Sequence, residues 1–213
     1  MTRHFTFLCT PILIFLLAIS AQNSATIIAN AQSTGDDPSE GSKCPSSLKL
    51  NQEFGSETKK NTRCLANTSG VKLLIHIQRH CAIDGSGAND SSSECTEARA
   101  LNVAVNAIKD YEETHGMKRG KDYHIAIVLN GEGAIFGLDP DADDANDRAT
   151  ENHSPDVVND LLEYGVSIYL CQNTARSMDI KLHQLIDGVQ FVTAGVTAIG
   201  DLQLQGYALY TAL

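Results

Sequence analysis

Cys171 has the residue type and the setting that best support chemistry in this sequence. It ends the apolar run VSIYLC (166–171) and directly precedes QNTARSM (172–178), which reads as a helix start with Asn173 or Thr174 as N-cap. Backbone N–H groups at a helix N-terminus stabilise a thiolate and lower its pKa. Arg176 falls in the first turn and adds positive potential if it points at the sulfur. An activated free thiol of this kind serves nucleophilic attack or carries a persulfide sulfur. The competing reading is that of a small buried hydrophobe, since free cysteine is among the most buried residue types.

Whether Cys171 is free depends on the other cysteines and on the compartment. Arg3 and His4 precede an uncharged run of 17 residues, Phe5 to Ala21, and Ala29-Asn30-Ala31 fits the small-x-small pattern of a signal-peptidase site. Residues 1–31 therefore read as a secretory signal, which predicts a secreted or extracytoplasmic protein. An uncleaved membrane anchor is the alternative, although the run is short for a bilayer span. Beyond that cut five cysteines remain: Cys44, Cys64, Cys81, Cys95 and Cys171. Thiols in an oxidising compartment tend to pair, and an odd count leaves one over. Several pairings are open. Cys81 and Cys95 flank the polar loop AIDGSGANDSSSE, and closing a loop of that length is worth roughly 3 kcal/mol in chain-entropy models. Cys44 and Cys64 bracket another polar segment. Local pairing of each couple leaves Cys171 as the odd thiol.

The elements that must position this thiol are legible as alternating strands and helices. Residues 32–43 have a linker's composition, and 44–70 carry few apolar anchors, so 32–70 reads as a linker and a disulfide-stapled extension. From Val71 the pattern changes. VKLLIHIQR (71–79), DYHIAIVLNGEG (122–133), VSIYLC (166–171) and VQFVTAG (189–195) read as buried strands, and YALYTAL as a fifth. Helical spacing of Ala98, Leu101, Val105 and Ile108 fills the first gap; DLLEYG closes a second helix and TAIGDLQLQG forms a last one. Continuously apolar strands alternating with helices imply a parallel sheet covered on both faces, whose sites form beyond the strands' carboxyl ends. The loop after Arg79, the NGEG turn (130–133) and Cys171 all fall on that edge.

Other motifs are weaker. The net charge of −10 argues against binding to nucleic acid or to anionic membranes. Gly131 and Gly133 can bring the backbone close to an anion, but NGEG is neither a P-loop nor G-x-G-x-x-G, and a tight turn is the simpler reading. Asp139, Asp141 and Asp143 begin like a calcium loop, yet Asp144 and Thr150 occupy positions that need glycine and glutamate, so a solvated acidic loop is expected. His76 and His80 alternate onto one face, and His80 with Cys171 sketches a metal site that lacks any ligand-spacing motif. No metal and no cofactor are expected. Asn67, Asn89 and Asn152 each open an N-x-S/T glycosylation triplet.

The stretch YGVSIYLCQNTARSMDI, followed by GVQFVTAGVTAIGDLQLQGYAL, resembles the DsrE/DsrF-like family, whose members carry a GV-x-(apolar)3-C-x-N-T segment and a (V/P)AGV…L…QGYA tail. The resemblance spans about Val71 to Leu213, and NGEG is similar to the family's glycine turn after the second strand. It implies a flavodoxin-like three-layer α/β sandwich with a mostly parallel five-stranded sheet over 71–213, assembled as a trimer or hexamer. It further implies a sulfur relay in which Cys171 holds a persulfide, Asn173, Thr174, Arg176, Gly131 and Gly133 line the site, and separate proteins donate and accept the sulfur. The resemblance covers cytoplasmic relays, whereas this chain carries an export signal. The alternative is a non-catalytic ligand- or metal-binding or assembly module in which Cys171 is structural.

Overall fold

The structure is a computed structural model describing Cys44, Gly55, residues 58–80 and residues 99–212, all within a compact unit spanning Pro38–Leu213. The signal or anchor segment and the Cys81–Cys95 pair lie outside the described residues. Among the described residues, no helix is long and apolar enough to cross a membrane.

Five strands form one sheet: β1 (Val71–Ile77), β2 (Tyr123–Leu129), β3 (Ser167–Cys171), β4 (Gln190–Val192) and β5 (Ala208–Ala212). Their order is β4-β3-β2-β1-β5, and every pairing is parallel. The helices are α1 (Thr58–Asn61), α2 (Arg99–Lys109), α3 (Pro155–Glu163), α4 (Gln172–Ser177) and α5 (Gly195–Leu204). The protein is thus α/β, with the five-stranded sheet and the three layers that the sequence predicts. Cys44 and Cys64 are bonded, with Cα atoms 5.1 Å apart, next to α1.

Alternation along the strands assigns the two faces. Ile75 and Ile77 of β1, Ile125, Ile127 and Leu129 of β2, and Ile168 and Leu170 of β3 enter the larger core, with Leu101, Ala104 and Ile108 of α2 and Val158 and Leu161 of α3. Each fully buried Leu or Ile contributes on the order of 1.5–3 kcal/mol relative to exposure. The opposite face is thinner: Leu74, Ala126 and Val128 meet Leu202 of α5, flanked by Tyr169, Ile199 and Tyr207. This asymmetry follows from connectivity. Right-handed crossovers from β1 through β4 run in one direction and stack their helices on one face. The return from β4 to β5 runs the other way and places α5 alone on the other face.

After α2 the chain widens into one π-helical turn, Asp110–Thr114. Within it, the Glu112 carboxylate accepts hydrogen bonds from the hydroxyls of Tyr123 (2.7 Å) and Tyr164 (3.0 Å), tying the start of β2 and the end of α3 to one acid. Burial, the Glu112 hydrogen bond and its charge push the Tyr123 phenol well above its ordinary value. Because the folded-state pKa is raised, this contribution is complete below the unfolded value of about 10 and is lost as pH rises beyond it. Denaturant titrations should therefore show wild type losing stability above about pH 10, with Tyr123→Phe showing a shallower alkaline loss.

The acidic loop holds its own turns. Asp139 Oδ1 accepts from Asp141 N at 2.9 Å, Asp139 N donates to the Gln184 carbonyl at 2.9 Å, and the chain then enters a 3-10 turn at Asp147–Glu151. Asn152 corrects one expectation. It is 4% exposed, its Nδ2 donates to the carbonyls of Leu138 (2.7 Å) and Phe136 (3.3 Å), and Oδ1 accepts from Ser154 N. An amide spent on internal hydrogen bonds is closed to glycosylation in the folded protein. Asn67 is exposed, and Asn89 lies outside the described residues.

Candidate functional site at the carboxyl edge of the sheet

Cys171 is the last residue of β3 and itself occupies the N-cap position of α4, with extended backbone (φ −68°, ψ 120°). The expected cap at Asn173 or Thr174 is therefore displaced: the helix starts at Gln172, so Asn173 and Thr174 fall in its first turn. Their N–H groups have no partner inside the helix, and they lie near enough to the sulfur to favour its thiolate. The side chain of Cys171 projects onto the thin face of the sheet, on the same side as Tyr169.

A second helix converges on the same atom. β4 lies beside β3 in the sheet, so α5, which begins three residues after β4, starts next to Cys171. The N–H of Gly195, the first residue of α5, donates to Cys171 Sγ at 3.1 Å. Burial pushes the thiol pKa up, but the backbone N–H groups of Thr174, Gly195 and Asn173, together with the Thr174 side chain, outweigh it. The net result is a pKa below the ordinary thiol value. This is a free cysteine, 5% exposed, stabilised as thiolate by hydrogen bonds and not by a neighbouring cation.

Arg176 plays a different part from the one expected. Its guanidinium donates to Asn173 Oδ1 at 2.9 Å, and no charge effect of it bears on the sulfur. Thr174 links the site to the neighbouring turn: its Oγ1 accepts from Gly131 N at 3.1 Å. Gly131, at φ +53°, thus acts on the thiol through Thr174. Gly133 makes no contact with the sulfur. Its N–H donates to the carbonyls of Gln78 and Asn130, and it lets the 3-10 turn Gly131–Gly137 pass against the end of β1.

Two further residues complete the edge. Asn130 directly follows β2, and its Oδ1 is hydrogen-bonded to His76 Nε2 of β1 at 3.0 Å. Oδ1 only accepts, so the His76 ring donates from Nε2 and the Asn130 Nδ2 amide is turned away from it. That amide lies on the side of Gly195, 3.5 Å from where a Cβ on Gly195 would stand. Sequence reasoning pairs His76 with His80 instead. The structure separates them: β1 ends at Ile77, alternation stops there, and the His80 ring packs tilted against Phe136 of the larger core, centroids 4.7 Å apart. Among the described residues no group of three or more His, Cys, Asp and Glu side chains is placed to hold a metal ion, His80, Asp139, Asp141 and Asp143 included. A cavity of about 660 Å³ between α2 and α3, lined by Val105, Ile108, Glu112, Leu161 and Tyr164, lies on the opposite face and is separate from the thiol.

The role of Thr174 is directly testable. A Thr174→Val variant should move the ultraviolet-monitored thiolate midpoint of Cys171 upward, toward the ordinary value of about 8.5, because the hydroxyl hydrogen bond is lost. A folded-state pKa that is depressed contributes stability above the unfolded value and loses it as pH falls through the folded one. Wild type should thus gain stability with rising pH across that window, and Thr174→Val should gain less.

Residues 81–211 match the DsrE/DsrF-like family. Among solved structures, the chain is similar to a protein of unknown function, MTH1491, from Methanobacterium thermoautotrophicum, at 20% identity and a TM-score of 0.47, covering 67% of this chain and 99% of that one. It is also similar to the ychN protein from E. coli at 15% identity and a TM-score of 0.42, covering 67% of this chain and all of that one. No curated protein matches. With the family match extending over more than half of its length, from beyond β1 into β5, the chain belongs to the DsrE/DsrF-like family.

Proposed function

We propose that the protein is an exported sulfur carrier that holds sulfane sulfur as a persulfide on Cys171. The observation that carries this reading is the setting of one free sulfur at the starts of two helices: Gly195 N–H of α5 donates to Sγ at 3.1 Å, and the N–H groups of Asn173 and Thr174 of α4 help hold its pKa down. A cysteine that only fills space needs no such donors. Its burial, at 5% exposure, favours the structural alternative, but burial alone raises a thiol pKa, whereas here the net shift is downward.

With thiosulfate as donor, the Cys171 thiolate attacks the sulfane sulfur. A new S–S bond forms at Sγ, and the bond between the sulfane and sulfonate sulfurs breaks. Sulfite leaves with the electron pair, and the anionic charge passes to the outer sulfur of the persulfide. A thiol of an acceptor protein then takes that sulfur and regenerates the Cys171 thiolate.

Export is part of the proposal. The bonded Cys44–Cys64 pair supports it, since disulfides persist in oxidising compartments. Homo-oligomerisation is proposed as well: β5 is an edge strand, and Leu209, Tyr210, Leu204 and Val196 are exposed on it and on α5. Sulfite release during incubation of the purified chain with thiosulfate tests the carrier reading. Stoichiometric release, about one sulfite per chain, is expected. Absence of release from thiosulfate, with no sulfur taken from polysulfide either, would overturn it.

A further inference from the structure

The space above Gly195 is the least explained part of the site. A Cβ placed on Gly195 would stand 3.4 Å from Cys171 Cβ, 3.5 Å from Asn130 Nδ2 and 3.6 Å from Asn130 Cβ, all ordinary contacts. A space of about methyl size is therefore open between Cys171 and Asn130. Gly195 opens α5 and its backbone does not lie in the left-handed region. Neither a turn nor a close approach explains a glycine there, and alanine has the higher helix propensity.

The Asn130 amide faces this space with its donor atom. His76, 8% exposed on β1, engages Oδ1, and among the described residues Nδ2 donates to nothing. The reverse amide orientation would present an acceptor oxygen to a thiolate and repel it. The observed one presents two N–H hydrogens, as an anionic ligand requires.

Resting on the carrier reading above, we infer that the space over Gly195 is the receptacle for the outer sulfur of a Cys171 persulfide. Asn130 Nδ2 is its hydrogen-bond donor, and His76 is the positioning residue that fixes the amide. A persulfide's outer sulfur stands about 3 Å from the cysteine Cβ, given an S–S bond near 2.05 Å. The open point lies 3.4 Å from Cys171 Cβ, so rotation of the cysteine side chain brings the outer sulfur there. The terminal atom carries the negative charge of the persulfide. An amide donor beside it stabilises the loaded state more than the resting thiol, which already has Thr174, Gly195 and Asn173 as donors. The ligand is a single sulfane sulfur atom, and the size of the space sets that limit.

Gly195→Ala fills the space, and Asn130→Asp keeps the acceptor for His76 while replacing the donor amide with an acceptor. Three readouts are taken on each full-length variant: thermal midpoint, ultraviolet titration of the Cys171 thiolate, and the initial rate of sulfite release from thiosulfate. Gly195→Ala is expected to melt at or above the wild-type temperature and keep its thiolate midpoint, yet load sulfur at least about tenfold more slowly. Asn130→Asp is expected to slow loading by at least about tenfold also, beyond what its shift in thiolate midpoint accounts for. Wild-type loading with folded Gly195→Ala equally fast would overturn the receptacle, and equal loading by Asn130→Asp would overturn the role of the amide. Failure of wild type itself to load is a separate result: it overturns the carrier reading and this inference with it.

Discussion

Cys171→Ser is expected to lower the rate of sulfur uptake from thiosulfate by at least about a hundredfold while leaving the fold intact. The serine oxygen can accept the Gly195 N–H as the sulfur does, and it fills nearly the same volume at the end of β3. What it cannot do is ionise. The N–H groups of Thr174, Gly195 and Asn173 bring a thiol below its ordinary pKa, whereas a hydroxyl in the same place stays protonated. It also lacks the sulfur with which a persulfide bond is made. Thermal unfolding close to wild type together with unchanged sulfite release would remove Cys171 from the chemistry altogether.

Gly133→Ala is expected to cost the most stability of any glycine-to-alanine change among the described residues, about 3 kcal/mol or more. Its added Cβ would stand 2.4 Å from the Ile77 carbonyl oxygen and 2.8 Å from the carbonyl carbon. Both are backbone atoms of the last residue of β1, a strand hydrogen-bonded on both sides, so no side chain can swing aside. Relief requires moving the 3-10 turn Gly131–Gly137, which carries Ala134, Ile135 and Phe136 into the core. It also requires shifting Gly131, and through it the hydrogen bond to Thr174. A denaturant titration should show the loss as an earlier midpoint at unchanged slope. A variant within about 0.5 kcal/mol of wild type would contradict the close approach.

The sequence shows the five strands because each is apolar along most of its length, and it shows Cys171 as a strand end because the apolar run stops there. It does not show the order of the strands. That order puts β4 beside β3 and delivers the Gly195 N–H to a sulfur 24 residues earlier in the chain. The sequence places Gly195 at the end of the fourth strand and starts the last helix at Thr197, whereas the structure ends β4 at Val192 and makes Gly195 the first residue of α5; its meaning depends on its neighbour in space. Alternation alone pairs His76 with His80. Alternation ends with the strand, and the residue His76 meets is Asn130, 54 positions away. The helix start was misplaced for a local reason. Asn and Thr are strong N-cap residues, yet the strand runs directly into α4, so the cap position falls on Cys171 before either is reached. Arg176 illustrates a different limit: its place in the first turn was legible, but the direction of its side chain toward Asn173 was not.

On the carrier reading, one sulfur atom resides on one residue. The measurement that tests it most directly is mass spectrometry of the full chain after exposure to thiosulfate and removal of excess donor, followed by peptide mapping under non-reducing conditions. The expected result is a gain of one sulfur, about 32 Da, confined to the peptide holding Cys171 and reversed by a thiol reductant. A chain of unchanged mass, or a gain carried by another cysteine, would contradict it.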